Sequence, residues 1–141
     1  MSFLGAPYPI IKDPKGFFRT TSGVNQIKSD LLILLLTEPG ERVMLPDFGT
    51  PLKKFIFEPN DSTVNEQVRE AIATSISTWE PRIAVQDIQV FNQSSEITNS
   101  LNELDAKQDL NHILLIRIRF SNFDSIDKIE ELEVRLPTGG A

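Results

Sequence analysis

Two stretches of this chain repeat their apolar residues at helical spacing, and three alternate them at strand spacing. Over 23–37, Val24, Ile27, Leu31, Leu34 and Leu35 follow i, i+3, i+4, i+7 steps, which predicts a helix. Ser22 stands where an N-cap is wanted, and Glu38-Pro39-Gly40 ends the pattern. Leu32, Ile33 and Leu36 make its second half apolar nearly all round, so it is buried on more than one side, by its own domain or by a neighbouring subunit. Over 62–79, Val64, Val68, Ala71, Ile72, Ser75, Ile76 and Trp79 form one face, with Glu66, Arg69 and Glu70 toward water. Thr63-Val64-Asn65-Glu66 fits a capping box.

The strand candidates follow. Ile83 and Val85, then Ile88 and Val90, alternate, but the phase slips between Val85 and Ile88 and predicts a bulge near Gln86-Asp87. Over 113–120, Leu114, Ile116, Ile118 and Phe120 share one face and Arg117 and Arg119 the other. Over 129–136, Leu132, Val134 and Leu136 alternate with Glu131, Glu133 and Arg135. Consecutive strands pair antiparallel by default, which sets Arg117 and Arg119 across from Glu131 and Glu133 on a solvated face.

Shorter elements are expected between. Residues 41–45 read as a short strand, Pro46-Asp47-Phe48-Gly49 as a turn, and 51–57 as a brief helix capped by Thr50 with Pro51 at its first position. That helix carries Leu52, Phe55 and Ile56 inward, and Pro59-Asn60-Asp61 breaks it. Residues 92–109 form a polar connection with a turn or two of helix at Ile97, Leu101 and Leu104. The reading is an irregular arm over 1–22, one α+β domain over 23–137 with two long helices on a small, mainly antiparallel sheet, and a flexible tail over 138–141. Phe3, Leu4, Tyr8, Ile10, Ile11, Phe17 and Phe18 make the arm too apolar for a solvated tail, so it packs on its own domain or on a partner.

Composition narrows the function classes. The chain has 141 residues, enough for one domain with a real core. Its net charge of −6 argues against a phosphate-driven nucleic-acid binder and against a polybasic membrane-surface protein. The longest apolar run, 31–36, is far short of the ~20 residues of a membrane span, and no signal-peptide pattern opens the chain. The expectation is a soluble protein, intracellular or part of a larger assembly, that binds no nucleic acid. With no cysteine there is neither a disulfide framework nor a thiolate metal site.

Catalytic chemistry finds little support. His112 is the only histidine and has no second His or Cys to share a metal, so no metal or cofactor is expected. No serine stands in a nucleophile elbow and no glycine loop matches a phosphate cradle. Glu58 with Asp61, or Glu80 with Asp87, are carboxylate pairs of the kind glycoside hydrolysis uses. Nothing in the sequence signals the burial that raises a catalytic acid, and no catalytic residue is assigned.

The junction at Trp79-Glu80-Pro81-Arg82 carries more. Pro81 disfavours helix at Glu80 and donates no backbone hydrogen bond. If the chain runs extended there, Glu80 and Arg82 project to the same side, a carboxylate and a guanidinium presented together at a stiff corner. Taken alone this is a helix stop with a surface ion pair.

Three blocks change that weighting. They are Thr37-Glu38-Pro39-Gly40-Glu41-Arg42-Val43-Met44-Leu45-Pro46-Asp47-Phe48-Gly49, Phe55-Ile56-Phe57-Glu58 and Trp79-Glu80-Pro81-Arg82-Ile83. Their order and helix contexts, over roughly 20–120, resemble the small baseplate wedge protein family of contractile phage tails, which has a counterpart in type VI secretion baseplates. The resemblance implies a non-enzymatic structural subunit with a sheath-subunit-like sheet, located in the virion's tail baseplate and made in the host cytoplasm. It implies as partners the core bundle of the larger wedge proteins, the tail sheath protein, and other small baseplate or tube-proximal proteins. It assigns docking to Glu80, Pro81 and Arg82. The last two strands become candidates to offer or flank an edge for strand addition, through Ile113, Leu115, Arg117, Arg119, Glu131, Glu133 and Arg135. Gly40, Arg42, Pro46, Phe48 and Gly49 form a structural turn motif, in which Arg42 anchors a carboxylate or stands exposed at a strand end. Members of the family have also been labelled lysozyme-like, so a peptidoglycan hydrolase is one alternative and a free adaptor protein another. On the docking reading, Arg82→Ala leaves the isolated fold intact and weakens assembly.

Overall fold

The computed structural model describes residues 4–56, 58, 62–92 and 113–137. Phe57, the break at Pro59-Asn60-Asp61, the connection after Asn92, His112 and the tail over 138–141 lie outside the described residues. The elements run β1 (Leu4–Gly5), β2 (Thr21–Ser22), α1 (Val24–Leu36), α2 (Lys53–Ile56), α3 (Ser62–Trp79), β3 (Ile83–Asn92), β4 (Ile113–Asn122) and β5 (Ser125–Pro137). The class is α+β, with two long helices on an antiparallel three-stranded sheet of order β3-β4-β5.

One core joins the layers. α1 contributes Ile27, Leu31, Leu34 and Leu35, and α3 contributes Val68, Ile72 and Ile76. The sheet meets them with Ile88, Ile116, Ile118, Phe120, Leu132 and Val134. Phe120, Ile116, Ile118, Leu31 and Ile72 are fully buried. Dense burial of this kind is the main favourable term in folding, at roughly 25 cal/mol per Å² of apolar surface. Lys28 of α1 adds an ion pair to Glu130 of β5 at 2.9 Å.

The bulge lies where the phase slip places it. Val85 faces Phe120 and Asp87 faces Arg119, so Gln86 is the extra residue. Its side chain donates to Ser121 Oγ at 3.2 Å instead of joining the ladder face. The bulge lets Ile83 and Ile88 both reach the core despite their odd spacing. The cross-strand charges also match: Arg117 lies opposite Glu133 and Arg119 opposite Glu131. β5 starts at Ser125, four residues before the alternation over 129–136 suggested.

Several local expectations fail for identifiable reasons. Residues 41–45 are not a strand; Val43 and Met44 are both 93% exposed. The segment closes on itself through Gly40 N–H to the Pro46 carbonyl at 2.6 Å and through turns at Glu41, Leu45 and Phe48, so its backbone groups need no ladder. Ser22 does not cap α1; Gly23 holds the cap position with φ 67° and no side-chain cap bond. Thr50 does not cap the brief helix. Its hydroxyl donates to the Leu34 carbonyl at 3.2 Å in a fully buried position, and α2 begins only at Lys53. Lys53 N–H donates instead to the Glu38 carboxylate. Thr63 lies inside α3 rather than at its cap, and Glu66 pairs with Arg69.

The arm is a ribbon. β1 and β2 pair antiparallel, Lys12 and Phe18 bridge further out, and the root is tied to α1 through Gln26.

Candidate docking site at the helix–strand junction

Pro81 ends α3 as expected, and the chain turns from Trp79 into β3 through Glu80, Pro81 and Arg82. Glu80 N–H still reaches the Ile76 carbonyl at 2.8 Å, completing the last helical turn. The Glu80 side chain is buried, at 6% exposed, while Pro81 stays at the surface. A buried carboxylate needs a partner. Arg82 supplies it by a fork, Nε to one Glu80 oxygen and Nη2 to the other, each at 2.5 Å. The same guanidinium reaches Asp30 of α1. The Glu80 hydrogen bond, with Asp30 beside it, holds Arg82 charged well above its ordinary range against the cost of burial. Bidentate geometry fixes the plane as well as the position of the guanidinium.

Glu80 and Arg82 do meet, but across a turn at Pro81 and Arg82 rather than along the extended run that the alternation argument assumed, and they face their own domain first. Arg82 retains a quarter of its side-chain surface in solvent. Asp30 extends the network into α1, where it accepts from Gln26 at 2.7 Å. Gln26 in turn accepts from Thr21 Oγ1 at 2.6 Å and donates to the Ala6 carbonyl. Sequence reasoning missed Asp30 and Gln26. The available signal was a carboxylate next to the all-apolar run that starts at Leu31.

The turn motif is brought against the same junction. Phe48 meets Trp79 edge-on, centroids 5.3 Å apart at 66°. Arg42 lies over the Phe48 ring at 3.9 Å. Arg42 thus makes a cation–π stack and, among the described residues, anchors no carboxylate. Gly49 has φ 129°, and a Cβ there would collide with the Thr37 carbonyl oxygen, so glycine is required. Gly40, with φ 95°, makes the turn whose N–H meets Pro46.

The sheet-edge candidates separate into two sets. β4 is the central strand, with both sides already paired, so Ile113, Leu115, Arg117 and Arg119 flank an edge and cannot offer one. Leu115 is buried as well, on the face opposite the core residues of β4. Glu131, Glu133 and Arg135 lie on β5, an edge strand of this sheet. Arg117 reaches across to Glu131 at 3.1 Å and Glu133 at 3.5 Å, and Arg135 binds Glu133 at 3.0 Å. The β4–β5 turn returns to the junction, where Phe123 N–H donates to the Arg82 carbonyl.

A family model described as baseplate wedge protein gp25 matches residues 21–120, which covers the helices, the turn motif and the junction. The chain belongs to the gp25 baseplate wedge family. It is a structural baseplate wedge subunit of a contractile tail. Among relatives of this family member, baseplate wedge protein gp25 of Enterobacteria phage T4 is 29% identical over 117 residues, 81% of this chain and 75% of that protein. Baseplate protein W of Escherichia phage P2 is 28% identical over 69 residues, 49% of this chain and 60% of that protein. The fold is shared with a Geobacter sulfurreducens protein described as a tail lysozyme, at TM-score 0.64 and 22% identity over 82% of this chain and 91% of that one. It is shared also with a chain of the anti-feeding prophage baseplate, at TM-score 0.61 and 20% identity over 98% and 87%.

Proposed function

We propose that this wedge subunit links the wedge core to the first sheath ring, docking on the larger wedge proteins through the Glu80-Pro81-Arg82 corner. The observation that carries the reading is the preset corner itself. Pro81 is exposed, the guanidinium of Arg82 is oriented by Glu80 and Asp30, and the Arg42–Phe48–Trp79 stack braces the helix end behind it. Ordering these groups before binding removes an entropic cost of association. The sheath reading rests on β5, which presents an edge for strand addition beside the charged strip of Glu131, Glu133 and Arg135. Other baseplate proteins are the partners, the virion tail baseplate is the location, and synthesis is in the host cytoplasm.

The subunit is non-enzymatic. Glu80, one of the carboxylates that a hydrolase reading would use, has both oxygens taken up by the Arg82 fork. Asp87 accepts from Gln89 at 2.8 Å. Purified protein should leave peptidoglycan intact across the acid and neutral range; turnover that survives repurification would refute this.

The docking experiment is co-purification with the larger wedge proteins. Arg82→Ala should lower capture at least tenfold. Because Arg82 also supports its own domain, Pro81→Ser is the companion variant: its side chain is exposed, so it should melt like the parent yet bind less. Folded Arg82→Ala and Pro81→Ser chains that are captured as well as the parent would overturn the reading.

A further inference from the structure

Two segments of this chain expose apolar side chains among charges of opposite sign. On the arm, Phe17 is 77% exposed, Phe18 74% and Ile10 67%. They stand among Lys12, Lys15 and Arg19, with Asp13 the one acid. At the β4–β5 turn, Phe123 is 58% exposed, Ile126 69% and Ile129 56%. They stand among Asp124, Asp127, Glu130 and Glu131, with Lys128 the one base. In a chain of net charge −6 a basic apolar arm is a local departure.

The arm is also preformed. Asp13 N–H donates to the Phe17 carbonyl at 2.6 Å and Arg19 N–H to the Ile11 carbonyl at 2.9 Å, so the ribbon's outer half is closed by its own backbone bonds. Within one chain neither surface covers the other, since both remain exposed. Apolar surface left in water costs roughly 25 cal/mol per Å², and a matching surface of opposite charge recovers that cost with selectivity.

We propose that the arm of one copy seats on the β4–β5 turn of a second copy. Phe17 and Phe18 pack on Ile126 and Ile129. Lys12, Lys15 and Arg19 face Asp124 and Asp127, because Glu130 is held by Lys28 and Glu131 by Arg117. The two patches differ, so the contact is heterologous and links neighbouring copies head to tail, or twice in a reciprocal pair. It uses none of Glu80, Pro81 and Arg82, so it stands or falls separately from the docking reading.

Sedimentation and light scattering of the full chain test it. The parent should self-associate, and raising salt from about 50 to about 500 mM should weaken association severalfold as charge is screened. Phe17→Ser with Phe18→Ser should weaken it at least tenfold, and so should Ile126→Ser with Ile129→Ser. All four positions are exposed, so melting temperatures should hold. Mixing the two doubly substituted chains should restore a one-to-one pair, since each keeps the half the other lacks. A parent that stays monomeric to about 1 mM, a weak limit for specific contact, would overturn the proposal. So would association that survives either double substitution, or variants that fail to complement on mixing.

Discussion

Arg82 is where one residue decides two outcomes. Its guanidinium stands between the buried Glu80 carboxylate and Asp30. Removing it leaves two carboxylates facing each other with no cation between them. Breaking a fully buried pair costs about 3–5 kcal/mol; a quarter of the Arg82 side chain is wet, so about 1–3 kcal/mol is the discounted expectation for Arg82→Ala. A thermal melt of the isolated chain reads this directly, and an unchanged midpoint would mean that Asp30 and Glu80 relax into solvent at no cost. Arg82→Lys keeps the charge but loses the fork, so it should recover only part of the stability. The sequence showed the pair, but the two side chains meet through a turn at Pro81 and Arg82, not through the extended run that alternation assumes. It did not show that the pair faces inward, because Asp30 lies 52 positions away and only packing of α1 brings it there. Gly49→Ala makes a cleaner case: a positive φ and a blocked Cβ predict a loss of about 1–3 kcal/mol, again checked by melting.

Elements were legible where one physical signal dominated. α3 spans 62–79 as its periodicity required, and the β3 bulge sits at the phase slip. The failures cluster where tertiary partners outcompete local preference. Thr50 gave up a cap to bond Leu34, and 41–45 gave up strand geometry for a loop closed by Gly40 and Pro46. The bulge yields a prediction of its own. Deleting Gln86 restores strict alternation, with Val85 still opposite Phe120 and Ile88 still opposite Ile118. That deletion should keep the register and change stability by less than about 1.5 kcal/mol, roughly one hydrogen bond. Deleting Gln89 instead moves Val90 to the opposite face and should cost more, because a one-residue slip flips every following side chain. Denaturant unfolding of both deletions compares them; equal losses would mean that the bulge, not the alternation, sets the pairing. On the outer face, Arg135, with help from Arg117, holds the Glu133 carboxyl below its ordinary value of 4.5. A depressed carboxylate stabilises the fold above the unfolded pKa, and that support is lost as pH falls through the folded value. Glu133→Gln should therefore flatten the acid limb of melting temperature against pH, by a small and salt-sensitive amount because the strip is exposed.

At the scale of the whole molecule, the described residues bring the root of the arm and the β4–β5 turn to the helix–strand junction. The network from Thr21 through Gln26, Asp30 and Arg82 to Glu80 ties the root of the arm to the junction. The β4–β5 turn joins it through Phe123 and the Arg82 carbonyl. The edge of β5 runs away from that region along the sheet, so the proposed core docking and the proposed sheath docking need not compete for the same surface. Strand addition has a sharp signature here because β4 is central and β5 is not. If a sheath segment donates a strand to this edge, as proposed, slowed amide exchange should appear over 125–137, while β4, already paired on both sides, changes little. Protection gained along β3 alone would move the sheath contact to the opposite edge, and protection gained on neither edge would remove strand addition from the account. Neither outcome would touch the corner at Pro81, whose backbone takes no part in the ladder.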